Sequence, residues 1–170
     1  SSREEARAAL RKKIEQNGYR LSTGFVGTAI LCPTLSDEGM DDLAYALLLQ
    51  RDNPSWLYSV DQGATTIWER WDSFTREGGF HKHPWNMNSF NHYAYGAVAD
   101  WMYGDMAGIN IDENNPAYKN IIFKPVTDSR LDWVKASVDT RMGTVASEWK
   151  KADGKIVYTF TVPERSTATA

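Results

Sequence analysis

One cysteine, three histidines and no long apolar run set the first limits on this 170-residue chain. Cys32 stands alone, so no disulfide can close within the chain and the redox compartment stays open. No stretch approaches the roughly 20 apolar residues that a bilayer-spanning helix requires, and no membrane partner is expected. The net charge of −3 carries no basic excess to attract nucleic acid or an anionic lipid surface. Glycine-rich phosphate loops, paired-cysteine zinc patterns and the G-x-S-x-G nucleophile elbow are missing. No leader pattern precedes the first helix, and the compartment is left open.

Aromatic residues are abundant: seven Trp and eight Tyr. Aromatic rings fill cores, and their faces also stack on the apolar C–H faces of sugar rings. Clustering of such rings beside carboxylates would favour the second use.

The first half reads as helices. Ser2 and Glu5 have capping-box spacing ahead of a helix over residues 2–17, with Gly18 as its stop and Ala6, Leu10 and Ile14 on one face. Residues 24–36 are apolar nearly all round (Phe25, Val26, Ala29, Ile30, Leu31, Leu35), the mark of a helix buried on all sides, with Pro33 expected to kink or end it. Residues 41–50 form a third helix with Leu43, Ala46 and Leu47 inward. The acidic group Asp37, Glu38, Asp41 and Asp42 is a helix N-terminal preference. Residues 51–89 carry Gly and Pro but no sustained period, and hold Trp56, Trp68, Trp71 and Trp85; long connections of this kind are usually functional. Residues 90–107 read as one long helix.

After Gly108 the period changes from 3.6 to 2. Ile121, Ile122 and Phe123 make a short strand. Val134, Ala136 and Val138 alternate with polar residues, and Val145, Ser147 and Trp149 share a face after a turn at Arg141-Met142-Gly143. Asp153-Gly154 is a hairpin signal, followed by an inward face of Ile156, Tyr158, Phe160 and Val162. The expected fold class is therefore multi-domain, α then β, with helices over residues 1–112 and antiparallel strands over 113–170. Buried helices without enough partners, and about four strands in a thin sheet, mark the chain as a fragment of a larger protein.

Two stretches concentrate chemistry. In Gly63-Ala64-Thr65-Thr66-Ile67-Trp68-Glu69-Arg70-Trp71-Asp72 a carboxylate lies between two indoles with an arginine beside it. Indoles exclude water and disfavour an ionised carboxyl, whereas a guanidinium favours it, a balance that suits a general base. An Arg–carboxylate pair tying a loop to a core is the equal alternative. In Met87-Asn88-Ser89-Phe90-Asn91-His92-Tyr93-Ala94-Tyr95-Gly96, a helical register puts Asn88, Ser89, Tyr95 and Gly96 around His92. Gly96 would leave room for a ligand there, but these residues taken alone favour a buried histidine satisfied by Ser or Asn. If both stretches serve a sugar site, the Glu69 carboxylate and the His92 imidazole are expected on one sugar-sized hollow lined by tryptophan. His81-Lys82-His83 lacks helical spacing and a third ligand, so no metal is expected.

At these stretches the chain resembles the α-L-rhamnosidases of glycoside hydrolase family 78. The resemblance begins at Gly18-Tyr19-Arg20-Leu21-Ser22-Thr23-Gly24-Phe25-Val26-Gly27-Thr28. It continues through Asp42-Leu43-Ala44-Tyr45 and Pro54-Ser55-Trp56-Leu57-Tyr58 and is strongest in the two stretches above. It implies a partial (α/α)6 toroid followed by the start of a C-terminal β-sandwich. It implies hydrolysis of terminal α-L-rhamnosides with inversion, Glu69 activating water and His92 contacting the sugar. The flanking Trp68 and Trp71 would shape the apolar side of the pocket, against the methyl group of rhamnose. No cofactor is implied. The partners implied are rhamnose-containing glycosides or polysaccharides, and the N-terminal part of the same enzyme, which would carry the general acid. The spacer around His81-Lys82-His83 looks slightly longer than is usual in the family. A non-catalytic carbohydrate-binding relative, or another (α/α)6 glycosidase, is the competing reading.

Overall fold

A computed structural model of the chain describes residues 2–80 and 87–170. His81, Lys82, His83 and Trp85 lie outside the described residues. The chain divides into two compact units, Ser1–Val98 and Ala99–Ala170.

The first unit is helical. In α1 (Arg3–Gln16) the capping box is complete: Glu5 N–H donates to Ser2 Oγ at 3.2 Å, and Ser2 N–H donates to Glu5 Oε2 at 3.0 Å. Gly18, at φ +63°, supplies the left-handed stop, and Tyr19 N–H reaches back to Ile14 O. Of the expected apolar stripe only Ile14 is buried; Ala6 is exposed and Leu10 half-buried. Arg3 and Arg11 hold Glu38 and Asp42 instead, at 2.8 Å each. The acidic group beyond α1 thus takes guanidinium partners as well as helix N-terminal positions. Arg3 draws the Glu38 carboxyl below its ordinary range, and Arg11 does the same to Asp42.

Helix α2 (Phe25–Asp37) runs through Pro33 without ending there. It is not covered on all sides: Thr28, Cys32 and Leu35 are buried, while Val26 is 82% and Ile30 60% exposed. The apolar character read all round the helix therefore has a core to meet on one face of this segment only. Helix α3 (Asp41–Leu48) buries Leu43, Ala44, Tyr45, Leu47 and Leu48, a far denser contact surface than α1.

The stretch 51–89 is not structureless. It contains α4 (Trp56–Asp61), capped by the buried Ser55, whose Oγ accepts from Tyr58 N–H at 3.1 Å. It also contains a minimal antiparallel hairpin of β1 (Phe74–Thr75) and β2 (Gly79–Phe80). Six residues of helix are too few for a period to stand out against four Trp and several turn residues. The helix expected over 90–107 is also different. It winds as a 3-10 helix (Tyr93–Ala97), then α5 (Val98–Trp101), then a π-helix (Met102–Met106). Residues 88–92 are outside it. His92 is extended, at φ −120° and ψ 110°, because its backbone N–H is taken by Ile67 O at 2.8 Å.

The second unit is built from strands. β3 (Ile109–Ile111) and β4 (Asn120–Phe123) pair antiparallel, and β8 (Thr167–Thr169) adds to β4 in parallel. β5 (Trp133–Thr140), β6 (Gly143–Ala152) and β7 (Lys155–Thr161) form a second, antiparallel sheet. Asp153 and Gly154, both at positive φ, turn β6 into β7 as a primed hairpin requires. The alternation read from sequence holds at the centre: Val145, Ser147 and Trp149 are all buried. Trp149 Nε1 donates to Met106 O at 2.8 Å, so the buried indole keeps its hydrogen bond. Ile109, Ile121, Phe123 and Val145 form the core, with Phe160 stacked on Phe123 at 4.3 Å. The rest of the inward face expected on β7 is not covered, with Ile156, Tyr158 and Val162 each more than a third exposed.

Among the described residues no helix is long and apolar enough to cross a membrane, and no group of three or more His, Cys, Asp or Glu is placed to hold a metal ion.

Gly108 is a tight constraint in this unit. It sits at φ +72°, and a Cβ there would lie 2.1 Å from Pro125 N and 2.4 Å from the Lys124 carbonyl carbon. Gly108→Ala therefore combines a left-handed conformation with a clash against backbone, which cannot rotate away. A loss of about 3 kcal/mol or more is expected, measured as a fall in the denaturation midpoint of the β unit.

Candidate functional site

The site begins with α4. Trp56 and Ser59 lie one turn apart and both reach outward to fix other segments. Trp56 Nε1 donates to Tyr95 O at 2.9 Å, and Ser59 Oγ donates to Trp71 O at 2.8 Å. Tyr95 and Trp71 then stack on each other at 3.9 Å with an interplanar angle of 22°. A short helix with no sequence period thus anchors both chemical stretches.

A two-rung backbone ladder joins those stretches directly. Glu69 N–H donates to Ser89 O at 2.9 Å, and His92 N–H donates to Ile67 O at 2.8 Å. Thr66 Oγ1 adds a bond to Phe90 O. The Glu69 side chain joins the same ladder, with Oε2 accepting from Ser89 N–H at 2.7 Å. A charge-assisted bond of this length holds a carboxylate in a fixed direction. Glu69 and His92, 23 positions apart in sequence, therefore lie on paired segments. The Arg70–carboxylate pair weighed as the alternative is not made through Nε, which is buried with no hydrogen-bond partner among the described residues.

His92 caps the 3-10 helix, Nδ1 accepting from Ala94 N–H at 3.4 Å. A ring nitrogen that accepts carries no proton, so the neutral imidazole has its proton on Nε2. The ring stacks on Phe25 at 4.6 Å. Phe25 in turn meets Tyr95 edge-on at 4.9 Å, and Trp71 meets Trp56 edge-on at 5.6 Å. His92 thus ends a continuous aromatic row through Phe25, Tyr95, Trp71 and Trp56. Burial pushes the Tyr95 phenol up, with the Arg70 guanidinium opposing.

Trp68 belongs to a second cluster. It packs edge-on against Phe74 at 6.5 Å and Phe90 at 5.5 Å, and Phe80 closes the group against Phe74 and Phe90. The two indoles beside Glu69 in sequence are thus drawn into separate aromatic groups. They do meet at one cavity of about 310 Å³, which Trp56, Thr65, Ile67 and Tyr95 also line. Neither Glu69 nor His92 is among its lining residues. The single tryptophan-lined hollow expected around both groups is therefore not this cavity.

Gly96 also has a different use from the one expected. A Cβ there would meet Ile67 Cγ1 at 3.2 Å, so the missing side chain makes room for Ile67, not for a ligand. Sequence reasoning also passed over Ser73, which is fully buried, and Phe25, which is 67 positions from His92. Nothing local in the sequence marks either, because their partners are set by tertiary contact.

Comparison with known proteins fits this arrangement. The bacterial alpha-L-rhamnosidase 6 hairpin glycosidase domain matches residues 1–106, and the bacterial alpha-L-rhamnosidase C-terminal domain matches residues 108–170. The alpha-L-rhamnosidase of Streptomyces avermitilis is 44% identical over 155 residues, covering 91% of this chain and 15% of that protein. One from Formosa agariphila is 41% identical over 167 residues, covering 98% of this chain and 18% of that protein. Among solved structures, the Streptomyces avermitilis enzyme complexed with L-rhamnose superimposes with a TM-score of 0.86 at 43% identity, covering 96% of this chain and 16% of that one. The native Aspergillus terreus enzyme gives 0.85 at 35% identity, covering 98% and 19%. The chain spans less than a fifth of the length of these relatives.

Proposed function

The chain belongs to the bacterial α-L-rhamnosidase family, and from that membership we propose that it supplies the general base and a sugar-binding histidine to an enzyme that hydrolyses terminal α-L-rhamnosides with inversion. The observation that carries the proposal is the ladder that lays the Ile67-Trp68-Glu69 stretch beside residues 89–92 and fixes the Glu69 carboxylate on Ser89 N–H.

In an inverting hydrolysis one carboxylic acid protonates the leaving oxygen while a carboxylate across the sugar takes a proton from water, the two standing about 6.5–9.5 Å apart. Glu69 fits the second role. Oε2 is held by a backbone N–H, which fixes the direction of the carboxylate, and the other oxygen is left to meet water. His92 fits a binding role. With Nδ1 occupied by the helix cap, Nε2–H is the group that can donate to a sugar hydroxyl. Trp68 and Trp71 would act from behind, as packing that stiffens the base-bearing turn, with the apolar face toward rhamnose as their further role. The acid would come from the remaining length that the relatives possess. The exposed Val26 and Ile30 on α2, Ile156 and Tyr158 on β7, and Val162 just after it are the kind of surface that the rest of such an enzyme would cover.

Three results test the proposal. In the full-length protein that carries this chain, Glu69→Gln should cut kcat on aryl α-L-rhamnosides by at least about a hundredfold with folding intact; near-normal turnover would remove Glu69 from the base role. His92→Ala should weaken L-rhamnose binding by about tenfold, as expected for loss of a hydrogen bond worth 1–2 kcal/mol. Unchanged affinity, measured by calorimetry, would leave His92 as a helix cap. The 170-residue chain alone should show no measurable turnover of aryl rhamnosides, since a base without its acid lacks half of the mechanism.

A further inference from the structure

Ser73 has no place in the chemistry described above, yet it is fully buried and its hydroxyl has three hydrogen-bonding neighbours. Its Oγ accepts from Arg70 N–H at 3.2 Å and stands 2.9 Å from both Arg70 O and Asn88 Oδ1. One hydroxyl proton serves one acceptor at a time, so the group is shared between closing its own turn and holding Asn88. Both ends of that link adjoin the proposed base. Arg70 follows Glu69 in the chain. Asn88 precedes Ser89, whose N–H donates to Glu69 Oε2 at 2.7 Å and whose carbonyl accepts from Glu69 N–H at 2.9 Å.

We propose that Ser73 and Asn88 are positioning residues for the Glu69 carboxylate: a buried hydroxyl–amide latch that sets where the 88–92 segment lies against the 67–73 turn, and so where Ser89 N–H meets Oε2. The proposal rests on the reading of Glu69 as general base. Its physical basis is the pair of loops involved. The turn between Glu69 and Ser73 and the segment entering at Asn88 have no regular sheet to fix their register. The backbone ladder has two rungs, at Glu69·Ser89 and Ile67·His92. The latch adds a third tie beyond Glu69, on the side away from Ile67, so the carboxylate is bracketed from both directions. A base misplaced by about 1 Å loses up to a hundredfold in rate. Loss of one bracket should therefore be felt in turnover before it is felt in sugar binding, which engages His92 at the other end of the ladder.

The test uses the full-length enzyme that carries this chain, with Ser73→Ala and Asn88→Ala made singly and in a Glu69→Gln background. Ser73→Ala removes one oxygen from a closed position and leaves its shape nearly intact. Each single variant is expected to lower kcat on an aryl rhamnoside about tenfold. The Kd for L-rhamnose should stay within about twofold, and a binding stoichiometry near that of the unmodified enzyme shows that the folded fraction is unchanged. In the Glu69→Gln background the same substitutions should cost no more than about twofold further, because a residue acting through Glu69 has nothing left to position. Unmodified kcat in both single variants would overturn the latch, as would an undiminished tenfold loss in the Glu69→Gln background or a parallel loss of rhamnose affinity. Full activity in Glu69→Gln alone overturns the base reading itself, and is told apart from failure of the latch because it needs neither Ser73 nor Asn88 to be changed.

Discussion

The site depends on a backbone ladder of two rungs. Glu69 with Ser89, and Ile67 with His92, bring together segments separated by a long connection and give the carboxylate its N–H partner. Their individual energies are modest, since a typical protein hydrogen bond contributes about 1 kcal/mol net. Their importance is geometric. They take His92 out of the helix that follows, fix its ring as the helix cap, and place Glu69 where a side-chain oxygen and a backbone N–H of one residue both face Ser89.

The aromatic residues give this ladder its rigidity. Trp71, Tyr95, Trp56 and Phe25 run as one row to His92, and Trp68 closes a second group with Phe74, Phe80 and Phe90. Offset and edge-on ring pairs add about 0.5–1.5 kcal/mol each beyond the area they bury, although Phe80 and Phe25 also remain exposed.

The two units meet different constraints. The β unit has a real core and a glycine that no other residue can replace without a backbone clash, so its register is well determined. The helical unit leaves Val26 and Ile30 of α2 open, although α2 is among the most apolar parts of the sequence.

The sequence by itself determined what is local: the capping box of α1, the hairpin at Asp153-Gly154, the alternation of Val145, Ser147 and Trp149, the change from helix to strand, and the two motifs that carry the family resemblance. Each is legible because its partners lie within a few positions or repeat at a fixed period. Only the tertiary structure decided which way those motifs point. The helix at 56–61 was too short to show a period, and the 3-10 helix starts late because a distant carbonyl, Ile67 O, takes the His92 amide. Gly96 is filled by Ile67, and Ser73 binds Asn88 across fifteen positions. Long-range pairing of this kind leaves no periodic trace in the chain, because the contact is fixed by where two loops are carried and not by the order of residues within either.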